Sequence, residues 1–337
     1  PPTPPPPPPP PPPPRAAAPP APPARPPPPP PATSKGLTML GLLKSDLYRI
    51  FNPNRLRGEF FGCFVALVII IGGALGFTAF MLSRASTGSG LVTSQDAAEL
   101  ASEFNLALVH PSAFLGSILL DGAIPNIVTM LGVVVVACTD FRDGFAKTLM
   151  QGYGRATYFL EKIVFNAIWT ALVLLAACLI AIALAAVRRF PLSLDEDPLH
   201  LFAWLALTWL GLWTLTLVAL AIAVLIRRTG AVNVAIIFIG AGAISGFFDL
   251  FAELCRVFSE FKLGASSMYA AAGSFAELLP TNLISMPALG SHELFEPATT
   301  PGLALPGGFA TQALLGFCIV ALFSIAIILT KGPKREY

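Results

Sequence analysis

The sequence predicts an all-α, polytopic membrane protein with six transmembrane helices, and three observations carry that prediction. First, six apolar stretches occupy about residues 60–82, 117–139, 163–187, 201–226, 231–251 and 309–330. Each is 21 to 26 residues long, and a helix needs roughly 20 apolar residues to cross the hydrocarbon core. Second, 55% of the chain is hydrophobic and only 12% charged, whereas soluble domains carry about 25% charged residues. Third, the polar segments between the stretches alternate in charge. Segments 35–59, 140–162, 227–230 and 331–337 hold 14 Lys and Arg against 6 acids. Segments 83–116, 188–200 and 252–308 hold 5 against 11. An excess of Lys and Arg marks the cytoplasmic side, so both termini are expected there. A transmembrane β-barrel would show segments of about ten alternating residues, and none occur.

Residues 1–38 form a proline-rich tail predicted to be disordered. Residues 1–31 hold 23 of the 34 prolines, a composition that favours polyproline II and cannot bury a core. The tail lacks the apolar centre of a signal peptide. It reads either as a docking arm for a proline-reading domain or as a translated upstream region or optional extension, since the first methionine is Met39. In residues 39–58, Leu40, Leu43, Leu47, Ile50 and Phe51 recur at helical spacing while Lys44, Ser45 and Arg49 point elsewhere. That pattern predicts an amphipathic helix ended by Asn52-Pro53-Asn54, able to lie in the headgroup plane or simply to orient the first span. Residues 59–337 make the six-span domain, with the segment 252–308 as its largest external loop.

Segment 140–162 is the most informative cytoplasmic piece. Phe141, Phe145, Thr148 and Leu149 are predicted to share one helical face, with Asp140, Asp143 and Lys147 projecting away from it. Gly152 and Gly154 should break that helix, and a new one should begin near Arg155. A short exposed helix between two spans makes a lever for a cytoplasmic partner, or else a solvated turn.

This segment resembles the type-2 ABC exporter permeases. The resemblance rests on acidic-Phe-x-x-Gly-x-x-Lys-Thr, followed by Gly-x-Gly-Arg and then aromatic residues and Lys at the mouth of span 3. Met-Leu-Gly-Leu-Leu-Lys-Ser-Asp-Leu-Tyr-Arg-Ile-Phe at 39–51 is also similar to the opening helix of those permeases. The layout matches from Met39 to Lys331, and specific residues match at 40–51 and 140–162. The most similar group is the small six-span bacterial permeases of lantibiotic immunity and multidrug efflux. The resemblance implies an elbow helix carrying Leu43, Lys44, Leu47, Arg49 and Ile50. It also implies a coupling helix over 140–151, with Phe141, Arg142, Asp143, Phe145, Lys147 and Arg155 contacting a cytoplasmic ATPase. The implied assembly sits in a bacterial cell membrane, as a homodimer or as a heterodimer with a second permease, and exports cargo.

No Gly-x-x-x-x-Gly-Lys-Ser/Thr occurs, so this chain is expected to be no enzyme and to hold no cofactor, and the resemblance then implies that ATP and Mg sit on a separate ATPase subunit. His110, His200 and His292 lie scattered in the external segments without metal-ligand spacing, and the five cysteines read as small packing residues. No nucleic-acid partner is expected. Asp121 and Asp249 are the acids within the span limits, close to the external end, where they reach water, line a vestibule or, for Asp249, pair with Arg256. Gly72/Gly76 and Gly242/Gly246 could allow close helix approach. Asn126, Asn166 and Asn233 could bond between helices. Trp204 fits an interfacial belt, and Trp209 and Trp213 share a face one turn apart. A helix-like run at 265–279, followed by Pro280 to Pro287, could re-enter the outer leaflet. Two other functional classes fit the pattern: an ATP-independent secondary transporter, and a non-transporting immunity or scaffold protein.

Overall fold

The computed structural model describes residues 39–51, 57–86, 110–120, 123–142, 144–190, 196–226, 228–260, 279–295 and 308–334. The proline-rich tail, Asn52 to Arg55, Asp121, Asp143, Asp195 and the run at 265–278 lie outside them. The described residues form helices with no strand. In chain order these are α1 (Met39–Phe51), α2 (Arg57–Ser86), α3 (Pro111–Leu119), α4 (Ala123–Arg142), α5 (Phe145–Tyr153) and α6 (Arg155–Val187). They continue with α7 (Pro198–Ile226), α8 (Thr229–Gly240), α9 (Ala243–Glu260), α10 (Pro280–Ala288), α11 (Ser291–Phe295) and α12 (Gly308–Lys331).

Four helices are long and apolar enough to cross a membrane: α2 through Phe61–Phe80, then α6, α7 and α12. A fifth crossing follows if α8 and α9, bent by 49°, act as one span. Two of the six expected stretches are therefore not single long helices. Stretch 117–139 parts between α3, which ends at Leu119, and α4, which begins at Ala123. The N–H of Leu120 bonds the carbonyl of Gly116 and closes α3. The 20 residues of α4 reach about 30 Å at 1.5 Å per residue, with Pro125 in its first turn, where a missing N–H costs little. Stretch 231–251 divides at Gly242, whose φ of 70° leaves the helical region.

Among these helices α7 is the central one, packing on α12, α4, α6 and α10. Its Trp204, Leu215, Leu217 and Leu220 are fully buried. The outward faces are apolar as well: Val65, Ile69 and Phe77 of α2, Leu175 and Leu179 of α6, and Ile319, Leu322 and Phe323 of α12 are exposed. A soluble monomer rarely presents so much contiguous apolar surface. Long helices with greasy outer faces suit a lipid solvent, which offers no partner for free backbone groups.

Close approach between helices occurs at glycines other than the two anticipated pairs. A Cβ on Gly72 would meet only Leu184 at 3.8 Å, and one on Gly246 would meet nothing within 4 Å. At Gly116 of α3, by contrast, a Cβ would sit 2.5 Å from the Ala288 carbonyl oxygen of α10. Backbone cannot yield there as a flexible side chain could. Gly116→Ala should therefore lower stability by about 1–3 kcal/mol, as overpacked sites do, read as a drop in the thermal unfolding midpoint in detergent.

The two ends of the bundle collect different segments. At one end Arg155 Nη1 donates to the Pro333 carbonyl at 2.6 Å, and Lys162 meets Asp46. At the other, Ser112, Glu196 and Ser291 meet. The described parts of segments 35–59, 140–162 and 331–337 thus meet at one end, and those of 83–116, 188–200 and 252–308 at the other.

Candidate functional site

The end bearing the basic segments holds a buried ion cluster built from three elements. Lys162 and Tyr158 lie one turn apart on α6 and face inward, and Phe165 continues the stripe. Lys162 Nζ lies 2.8 Å from Asp140 Oδ2 at the end of α4 and 3.7 Å from Glu161 Oε2, and it pairs more closely still with Asp46 Oδ2 of α1. Tyr158 donates its hydroxyl to Asp140 Oδ2 at 3.2 Å. The ammonium also sits 5.2 Å from the Tyr158 ring centroid and 5.9 Å from that of Phe165. No member of this group is more than 3% exposed. Charges that dry are held only because they pair, since unpaired burial costs several kcal/mol per ion. The cluster therefore fastens α1 and the end of α4 to the first turns of α6.

The cluster corrects one expectation directly. Asp140 does not project into water; α4 continues to Arg142, which turns Asp140 inward onto Lys162. The single helix expected over 140–151 is also divided, between the end of α4 and α5. Gly144, with φ at 68°, separates α4 from α5, and Gly154, with φ at 88°, separates α5 from α6. Both positions have positive φ, which glycine adopts without the steric cost a Cβ would bring. Gly152 lies inside α5 and breaks nothing. Phe141 is half-buried on α4, while Phe145 is exposed on α5, so the two do not form one stripe.

On α5, Ala146 and Met150 are one turn apart and buried, whereas Phe145, Lys147, Thr148, Gln151 and Gly152 are exposed. Arg155 is exposed and engaged with Pro333. The side chain of Arg142, and Asp143 altogether, fall outside the described residues. On α1, Leu42 and Asp46 are the buried pair, Leu43 and Leu47 are half-buried against the core, and Lys44, Leu40 and Tyr48 are exposed. The side chains of Arg49 and Ile50 lie outside the described residues.

The opposite end is tied by a hydrogen-bonded clasp. Glu196 Oε2 accepts from the Ser112 N–H at 2.9 Å, and Glu196 Oε1 accepts from both the Ser112 and Ser291 hydroxyls. The Ser291 N–H donates to Ser112 Oγ at 2.8 Å. One carboxylate thereby joins α3, the entry to α7, and α11. Beside it the His110 and His292 rings lie 5.4 Å apart, while His200 stacks on Phe295 at 5.2 Å. No group of three or more His, Cys, Asp or Glu among the described residues is arranged to hold a metal ion.

Nearby, Trp204 is fully buried and donates Nε1–H to the Pro287 carbonyl at 2.7 Å, so it belongs to the α10 contact and not to a lipid belt. Trp209 and Trp213 do stack, with centroids 5.7 Å apart. Asp249 accepts from Asn282 Nδ2 at 3.4 Å, while Arg256 pairs with Glu253 at 2.9 Å, so the anticipated Asp249–Arg256 pair gives way to these contacts. Cys255, expected in the external loop, is buried.

Fold and surface together define the chain as a multi-pass helical membrane protein. Compared with models of protein families, with curated proteins and with solved structures, it finds no match in any of the three.

Proposed function

We propose that the chain is the permease subunit of an ATP-driven ABC exporter in a bacterial cell membrane, with both termini cytoplasmic. In this reading six apolar stretches cross the bilayer, α4 and the bent α8–α9 pair completing the set with α2, α6, α7 and α12. Two copies, or this chain and a second permease, enclose the cargo path. ATP and Mg reside on separate cytoplasmic ATPase subunits. α1 is the elbow helix and α5 the coupling helix.

One observation carries the proposal. α5 is a short helix with an exposed polar face, isolated by Gly144 and Gly154, and it begins one turn beyond Asp140 of the buried cluster. Force on Phe145 and Lys147 would pass through Asp140 and Lys162 into α6, and through Asp46 into α1. A solvated turn needs no such rigid backing. Charge reversal tests it: Lys147→Glu combined with Arg142→Glu should lower ATP-driven transport at least about tenfold, the equivalent of 1.4 kcal/mol of lost contact. Unchanged transport, with the chain folded, would contradict the coupling role.

A second reading draws on the same cluster. Buried Asp46, Asp140 and Glu161 are of the kind that relay protons in ATP-independent carriers. Transport abolished by an uncoupler while ATP is maintained would favour that reading. A non-transporting immunity or scaffold protein would be insensitive to both treatments.

A further inference from the structure

We infer that α9 is not a conventional spanning segment but an oblique amphipathic helix seated in the lipid of the outer leaflet, at the boundary between acyl chains and headgroups. The inference needs the chain to be membrane-embedded and does not depend on the permease reading.

The surface of α9 divides into three sectors. At about 100° per residue, Phe247, Leu250, Phe251, Leu254 and Val257 fall within an arc of about 120°, and all five are exposed. Asp249, Glu253 and Arg256 are also exposed, and they fall on the far side of the helix. Ser245 and Cys255 are buried in the sector between. That inner sector faces the protein: Thr281 of α10 donates its hydroxyl to Ser245 Oγ at 3.0 Å, and Asn282 reaches Asp249 at the neighbouring edge of the charged sector. Among the described residues, protein thus covers one sector and leaves two others largely exposed, one strongly apolar and one charged. A helix that presents both to its surroundings matches a boundary between oil and water, with the apolar sector in the acyl region.

A straight crossing would treat these residues badly. Continued straight from Thr229, the helix would leave a core about 30 Å thick after roughly 20 residues, with Asp249 inside its edge and the exposed apolar side chains of Phe251, Leu254 and Val257 beyond it. α8, by contrast, carries no ionisable residue from Thr229 to Gly240. Its 12 residues rise about 18 Å, which leaves Gly242 in the outer half of a core about 30 Å thick. The 49° bend there turns α9 away from the α8 direction, so α9 climbs slowly and reaches the boundary where its charges begin. Apolar side chains are exposed on both sides of the bend, with Val234, Ile237 and Phe238 on α8. On α9 an exposed apolar sector beside an exposed charged one points to the lipid boundary as the occupant rather than a second copy of the chain.

The test is a nitroxide scan of positions 247–257, one label at a time, in the full chain in phosphatidylcholine vesicles. The five native cysteines are replaced beforehand, and each labelled chain must retain its melting midpoint in detergent. Collision with oxygen, which partitions into lipid, is compared with collision with a water-soluble nickel chelate. The ratio should oscillate with helical period, severalfold higher at 247, 250 and 254 than at 249, 253 and 256, with the three maxima close in depth. A smooth change in the ratio from one end to the other would overturn the inference in favour of a straight span. Low access to both reagents at 247, 250 and 254, with spin–spin broadening, would overturn it in favour of a second copy covering the apolar sector.

Discussion

Lys162→Met is expected to destabilise the protein by about 3–5 kcal/mol, the range for removing one partner of a buried ion pair. Stability in this class of fold is only about 5–15 kcal/mol in total, so the loss should be plain in a denaturant or thermal melt in detergent. The reason is the asymmetry of the cluster. Lys162 Nζ is shared among Asp46, Asp140 and Glu161, and methionine fills a similar volume without a charge. Three carboxyl groups would then be buried without the ammonium, and each must be desolvated or protonated at a cost. The double variant Lys162→Met with Asp46→Asn should recover part of the loss, because one uncompensated acid is removed with its partner. Additive losses in the two single variants would show that the Asp46–Lys162 contact contributes nothing to stability. Recovery, by contrast, would place α1 firmly on α6 and show the two moving as a unit.

Glu196→Ala should cost about 3 kcal/mol, since hydrogen bonds to a charged group are each worth about 1.5–3 kcal/mol and some are regained by rearrangement. Its carboxylate receives the Ser112 N–H and two serine hydroxyls. Removing it leaves the serine groups of α3 and α11 to bond one another or go unpaired. Glu196→Gln should cost less, because the amide keeps one acceptor oxygen while its NH₂ faces donors. The order wild type, Gln, Ala in melting midpoint is the expected signature. Equal stability of all three would mean that the clasp does not hold the α3, α7 and α11 ends together.

Much of the fold is legible in the sequence because apolar length is a direct readout of burial in lipid. α6, α7 and α12 could be placed from their apolar runs alone, and α1 from its helical spacing. The division between α3 and α4 and the one at Gly242 were hidden because an apolar run keeps its composition from one helix to the next. Gly144 was visible as a residue, but its role as a separator of two helices requires its φ of 68°. The polar sites were less legible for a different reason. Asp46 and Lys162 are 116 residues apart, and Glu196 is 84 residues from Ser112 and 95 from Ser291. Such pairings leave no periodic trace. The usable signal was positional: Asp46 follows Leu42 by one turn on the buried face of α1, and Lys162 follows Tyr158 on that of α6. A charged residue at an apolar position of a helix is a request for a distant partner.

The direct test of α5 as a docking helix is affinity purification of the full chain from its own membranes in mild detergent. A chain containing a phosphate-binding Gly-x-x-x-x-Gly-Lys-Ser/Thr loop should co-purify in fixed ratio, hydrolyse ATP, and be lost when Phe145 and Lys147 are changed to Asp and Glu. The same protein purified alone, or with an ATPase that is retained when α5 is altered, would contradict the assignment of α5 as the surface that receives the motor.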